Sequence, residues 1–163
     1  MNKIEKVSVK DLLEIIKINE CAVPAVNSVT ESDFNWFYEN ALYFKKVINL
    51  DEIVGFLLVL PENLHYKSLN YQWFLNHYQN FAYIDRIVVI KNCKRKGIGA
   101  ALYSDLEKSL DESIQLITCE FNLKPANEES KNFHQKLNYK SVGKQFTENN
   151  RKQVSLMIKR LYV

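Results

Sequence analysis

The chain is short of the residues that punctuate a fold: its 163 residues include only four glycines, three prolines and three cysteines. Cys21, Cys93 and Cys119 are odd in number, far apart and without a CxxC pair, which argues against a disulfide framework or a zinc site and for reduced thiols. No stretch rich in Pro, Gly or Ser and no break in composition marks a linker, so a single domain over residues 1–163 is expected. No apolar run approaches the roughly 18 residues of a spanning helix, and the opening MNKIEKVSVKDLLEI is charged from the start, unlike a secretory leader. A cytoplasmic protein with no membrane partner is therefore expected. Charge of one sign is also lacking: 22 Lys and Arg against 19 Asp and Glu leave +3, too little to imply a nucleic-acid partner.

What is present reads as an alternation of strands and helices. A short strand, KIEKVSV, precedes Leu12, Leu13, Ile15, Ile16 and Cys21 at helical spacing, and TESD at Thr30 offers a cap for a second helix. YFKKVINL and IVGFLLVL flank Asp51 and Glu52 as a hairpin without the usual turn glycine. Pro61 to Asn80 is polar and aromatic without clear period and reads as a long loop. FAYIDRIVVI follows as a strand buried on both faces, and Ile98, Leu102, Leu106 and Leu110 then line one face of a helix. IQLITCEF, NEESKNFHQKL, YKSVGKQF and QVSLMIKRL read as strand, helix and two closing strands around the turn-rich TENNR. The order βααβββαβαββ is that of a mixed α/β domain.

Two of the four glycines, Gly97 and Gly99, stand beside the densest positive charge in the chain, in KNCKRKGIGA. A strand ending near Ile90, a basic loop and glycines opening a helix make a place for phosphate, because outward amides and the helix dipole favour an anion there. Lys91, Lys94, Arg95 and Lys96 add long-range attraction. The plain alternative is a solvated basic turn before a glycine helix start. A Walker loop, GxxxxGK(S/T), finds no glycine at the required spacing before Gly97 and no Lys-Ser/Thr pair after it. A dinucleotide fingerprint fits little better, despite Glu120 about twenty residues on, because Leu102 stands where its third glycine belongs.

KRKGIG, Lys94 to Gly99, resembles instead the Arg/Gln-x-x-Gly-x-Gly/Ala signature of the GNAT superfamily of acyl-CoA-dependent N-acyltransferases. IDRIVV before it, the hairpin LDEIVGFLLV, the segment NEESKNFHQKLNYKSVG and the closing VSLMIKRL match that family in order, over nearly the whole chain. YKSLNYQWF, YIDRIVV and FHQKLNY are similar to a bacterial subgroup of predicted acetyltransferases. The resemblance implies a GNAT fold: a mixed, mostly antiparallel sheet, flanked by helices, whose fourth and fifth strands splay apart. It implies an acetyl-CoA-dependent N-acetyltransferase, with CoA as product and a small-molecule or peptide amine as acceptor. It leaves a homodimer open as the assembly.

The family's cofactor contacts carry over onto Lys94, Arg95, Lys96, Gly97, Ile98, Gly99 and Ala100 for the diphosphate, with Lys94 in place of the signature Arg or Gln. Ile87 and Val89 fall along the pantetheine arm, though as side chains they also read as plain core. Asn127 matches a CoA-contacting asparagine and reads equally as a helix cap. Transfer from a thioester to an amine needs a neutral nucleophile, a polarised carbonyl and a proton for the departing thiolate. The Val89 amide fits the second need. Asp85 and Glu120 are the candidate bases, with a pair to Arg86 as the alternative for Asp85 and a strand-end acid or ammonium anchor for Glu120. The tyrosine that usually protonates the thiolate is replaced by His134, whose ordinary pKa of roughly 6.5 suits the task, or which merely packs beside the cofactor sulfur. Asn138 and Tyr139 replace Gly-Phe, with Asn tolerating the left-handed turn.

For the acceptor, Trp36, Tyr71, Trp73, Phe74 and Tyr78 could wall a pocket for a small amine, or could be ordinary core. His65 and His77 read as loop residues. Two other readings stay in view: a GNAT-fold protein that binds CoA without turnover, and a nucleic-acid binder using the basic loop, whose affinity would depend steeply on salt.

Overall fold

The computed structural model describes residues 1–162. The chain runs β1 (Lys3–Lys6), α1 (Leu12–Cys21), α2 (Glu31–Asn40), β2 (Tyr43–Asn49), β3 (Glu52–Pro61), α3 (Leu69–His77), β4 (Phe81–Val89), α4 (Ile98–Ser109), β5 (Leu116–Lys124), α5 (Glu128–Lys136), β6 (Lys140–Thr147) and β7 (Lys152–Arg160). These elements form two compact units interleaved in sequence. One takes Met1–Leu60 and Ile84–Leu110, the other Pro61–Tyr83 and the chain from Asp111 onward, so β4 contributes residues to both. The α/β class, with seven strands among the described residues, paired in antiparallel ladders and in a parallel β4–β5 pair, is the one the sequence predicts.

In the first unit β1 and β2 are antiparallel, as are β2 and β3. The β2–β3 hairpin turns on Leu50 at φ 49° and Asp51 at φ 63°. Two left-handed residues match the twist of the strands they join, so the turn forms although neither is glycine. Helix α2 begins as TESD predicts: the Asp33 amide donates to the Thr30 hydroxyl at 3.1 Å, and the Thr30 amide donates back to the Asp33 carboxylate at 3.0 Å. Two amides of the first turn are thereby satisfied. Helix α1 buries Leu12, Ile15, Ile18 and Asn19. Leu13 and Cys21, expected on its inner face, are exposed instead, Leu13 being rotated about 100° from Leu12 and Cys21 about 200° from Asn19 at 3.6 residues per turn. Phe34, Phe37 and Phe56 meet edge to face at the centre, each fully buried side chain worth roughly 1.5–3 kcal/mol of transfer.

In the second unit the first residues of β4 pair in parallel with β5 through Phe81↔Leu116, Ala82↔Ile117 and Tyr83↔Thr118. β5 then runs antiparallel to β7, and β7 to β6. The stretch Pro61 to Asn80, expected to be a long loop, contains helix α3. Its cap is Ser68, whose hydroxyl accepts from the Tyr71 amide at 3.3 Å. The period is hard to see in the sequence because the helix is nine residues long and fully buries only Tyr71 and Phe74, three apart. Trp73 lies against β6 at Gly143, where a Cβ would come within 2.9 Å of the indole. A strand glycine that admits a neighbouring ring is the packing reason for its place here.

Candidate functional site

The turn after β4 exposes a row of amides. Arg95 at φ 59° and Gly97 at φ 80° are both left-handed, and α4 starts at Ile98 with Gly97 as its cap. Ala101 is the first residue to close a helical bond, onto the Gly97 carbonyl at 2.9 Å. Among the described residues, no acceptor of this chain takes a hydrogen bond from the amides of Arg95 to Ala100. The first turn of a twelve-residue helix thus presents unsatisfied donors and the positive end of its dipole, with Lys94, Arg95 and Lys96 exposed alongside. A Cβ on Gly97 would meet nothing within 4 Å, so backbone conformation rather than crowding calls for glycine. Donor set, charge and open space suit a diphosphate.

Upstream, Asp85, Ile87 and Val89 alternate with Arg86 and Val88 along β4; Ile87 and Val89 are partly exposed, whereas Arg86, Val88 and the Asp85 side chain are buried. The Arg86 Nε donates to the Asp85 carboxylate at 2.7 Å. Its Nη1 donates to the Asn19 Oδ1 at 3.0 Å and the Asn27 carbonyl at 3.1 Å, and its Nη2 to the Asn27 Oδ1 at 3.0 Å. The guanidinium also lies over the Phe34 and Phe37 rings. Of the alternatives for Asp85, the pair with Arg86 is present. This buried cation is neutralised by Asp85 and holds the segment after α1 through Asn27.

In the second unit, Glu120 on β5 is the focus of a polar cluster. The Tyr83 hydroxyl donates to both its oxygens, at 2.8 and 3.0 Å, and the Asn70 Nδ2 donates to Oε1 at 3.2 Å. Asn70 in turn accepts at Oδ1 from the Gln145 Nε2 at 2.9 Å. Glu120 was legible as a candidate in the sequence, whereas Tyr83, Asn70 and Gln145 were not. They come from β4, α3 and β6, and only the strand register places Tyr83 beside Thr118, one same-face step from Glu120.

His134 sits on α5 and is 3% exposed. Its Nδ1 donates to the Ser130 carbonyl at 2.7 Å, one helical turn back, with the Ser130 hydroxyl 3.2 Å away. That bond assigns the neutral proton to Nδ1 and the lone pair to Nε2. Phe133 and Tyr139 meet the ring edge to face. Burial depresses the His134 pKa, and the Ser130 carbonyl opposes the shift in part. Asn127 caps α5, its Oδ1 accepting from the Ser130 amide at 3.1 Å, so the cap reading of that residue holds. Asn138 takes the left-handed conformation, φ 67°, that its place after the helix requires.

The aromatic candidates divide by exposure. Tyr71 and Phe74 are fully buried, and the Tyr71 hydroxyl donates to the Pro61 carbonyl at 2.6 Å. Trp73, Tyr78 and, on α2, Trp36 are partly exposed. His77, expected in a loop, ends α3 and stacks on Trp73 with ring centres 3.9 Å apart. His65 lies between β3 and α3.

Solved structures share this architecture throughout. The ribosomal-protein-S18-alanine N-acetyltransferase from Escherichia coli aligns over 100% of this chain and 96% of its own at 17% identity, with a TM-score of 0.76. Ard1 from Thermoplasma volcanium aligns over 99% of each chain at 16% identity and a TM-score of 0.80. Arabidopsis thaliana NAA60, solved in complex with a bisubstrate analogue, aligns over 98% of each at 13% identity and 0.77. No curated protein matches the chain by sequence. The family model described as the acetyltransferase (GNAT) family matches residues 12–139, from the first helix to the residue before β6, and the chain belongs to that family.

Proposed function

We propose that residues 1–163 act as one cytoplasmic domain, an acetyl-CoA-dependent N-acetyltransferase that passes the acetyl group directly to a primary amine of a small molecule, amino acid or peptide. The observation that carries this reading is the open row of amides from Arg95 to Ala100 beside three exposed cations. In this reading those amides hold the diphosphate of the donor, while Lys94, Arg95 and Lys96 attract it. The bound donor supplies an acetyl group already activated as a thioester, so no covalent bond to the enzyme is needed. Backbone groups of β4 at Ile87 and Val89 line the pantetheine arm, and the Val89 amide polarises the acetyl carbonyl. Asn127 keeps its Oδ1 on the α5 cap, and its NH2 would be the group offered to the cofactor.

Glu120 receives the proton of the incoming ammonium or fixes that ammonium in place. The Tyr83 hydroxyl and the Asn70 amide hold its carboxylate in place for either task. Asp85 ranks second as base because its carboxylate already serves the buried Arg86. His134 keeps its Nδ1 proton on the Ser130 carbonyl, so as the general acid it would first take a proton at Nε2, from the amine as it is acylated, and then give that proton to the departing thiolate. Trp73 offers aromatic surface to the amine, with the Phe74 ring meeting its indole edge to face, and Trp36 is a second candidate. The Escherichia coli protein named above acts on an alanine of ribosomal protein S18, which favours a peptide amine among the acceptors to try first.

The test is thermal unfolding with and without acetyl-CoA, followed by thiol release against peptides with free N-terminal Ala, Ser or Met, spermidine and single amino acids. A melting point raised by several degrees and CoA release with at least one amine are expected. No shift at saturating acetyl-CoA would sink the reading, and a shift without turnover on any amine would replace it with a CoA-binding sensor.

A further inference from the structure

The hydrogen bonds around Glu120 have a direction. An ionised carboxylate only accepts, so Asn70 must turn its NH2 toward it, as the 3.2 Å Nδ2 to Oε1 contact shows. That orientation leaves Asn70 Oδ1 facing β6, where only a donor fits, and the Gln145 Nε2 supplies it at 2.9 Å. Reversing either amide would set lone pair against lone pair or donor against donor, so one end of the chain dictates the other. We propose that Asn70 and Gln145 are positioning residues that aim the Glu120 carboxylate through this one-way relay. The inference rests on the reading of Glu120 as the group that meets the amine. It goes further in placing part of the control of that group on α3 and β6, through two uncharged side chains.

The relay can be reversed by substitution. Asn70→Leu removes one donor from Glu120 and should lower kcat about tenfold. Gln145→Leu frees the Asn70 amide to rotate and should lower kcat less. Gln145→Glu should act most strongly of the single relay changes, because a carboxylate there can only accept; it would draw the Asn70 NH2 to itself and turn Oδ1 onto Glu120. In an Asn70→Leu background the same Gln145→Glu change has no amide to turn and should cost less than twofold more. Throughout, the KM for acetyl-CoA should stay within about twofold of wild type, since the relay touches none of the amides between Arg95 and Ala100.

The experiment measures kcat and KM by CoA release, using acetyl-CoA and whichever amine of the panel above turns over fastest, for wild type, Glu120→Gln and the relay variants. A Glu120→Gln variant at least a hundredfold slower, with the relay variants ordered as stated, supports the inference. The same Glu120→Gln loss with Asn70→Leu and Gln145→Glu both near wild type overturns the relay and leaves the proposed function standing. A Glu120→Gln variant as fast as wild type overturns the role of Glu120 and the relay with it, and so does a wild-type protein that turns over no amine. Circular dichroism melts of each variant separate misfolding from misalignment, and if Asn70→Leu fails to fold, the nearly isosteric Gln145→Glu carries the decision alone.

Discussion

Arg86 and Asp85, neighbours in sequence on β4, form an ion pair at 2.7 Å with side chains only 3% and 4% exposed. Successive residues of a strand point to opposite faces, so the pair closes through Nε, the guanidinium nitrogen nearest the backbone. The outer nitrogens remain for Asn19 and Asn27. Removing one partner of such a pair leaves a charge buried without compensation. Asp85→Ala should therefore cost about 3 kcal/mol of unfolding free energy in urea denaturation, with the slope of the transition unchanged. A loss below about 1 kcal/mol would mean that water reaches Arg86 in solution.

Gly97 separates backbone strain from ligand exclusion. A Cβ there touches no atom of the protein, yet φ 80° is costly for any L side chain. Gly97→Ala should lower stability by only about 1–2 kcal/mol, the ordinary penalty of the left-handed conformation. Gly97→Val should in addition weaken acetyl-CoA binding more than tenfold by titration calorimetry, since under the proposed function its methyl groups would stand in the space the diphosphate needs. Unchanged affinity in a folded Gly97→Val protein would move the diphosphate away from this turn.

His134 should make stability depend on pH in one direction. Its pKa is depressed in the folded chain, first by burial, from an ordinary 6.5. At pH above 6.5 both folded and unfolded forms are neutral at this position, and the contribution to stability is complete. As pH falls below 6.5 the unfolded chain binds the proton first, so stability is lost until the folded pKa is passed. Wild type should therefore lose more stability than His134→Gln between pH 7.5 and pH 5 in urea melts. Parallel curves for the two proteins would show that the ring is hydrated when folded.

How much of this was legible beforehand follows from how local each signal is. The Thr30 cap, the β2–β3 hairpin around Asp51, the helix opening at Gly97 and the left-handed Asn138 each depend on residues within a few positions of one another, and all appear where the sequence puts them. Helix α3 escaped because a nine-residue segment with two fully buried side chains carries almost no period. The exposure of Leu13 escaped because an apolar side chain in a helix does not by itself say which face is inward.

Local chemistry in the chain thus determined the order of elements apart from α3, and the turn of exposed amides before α4, since backbone conformation, capping and charge there are properties of neighbouring residues. Tertiary structure alone decided the engagement of Asp85 by Arg86 and of Arg86 by Asn19 and Asn27, the burial of His134, and the convergence of Tyr83, Asn70 and Gln145 around Glu120. For the cluster around Glu120 the reason is physical: a strand's side chain alternates faces with every residue, and its partners depend on a register to which distant segments contribute.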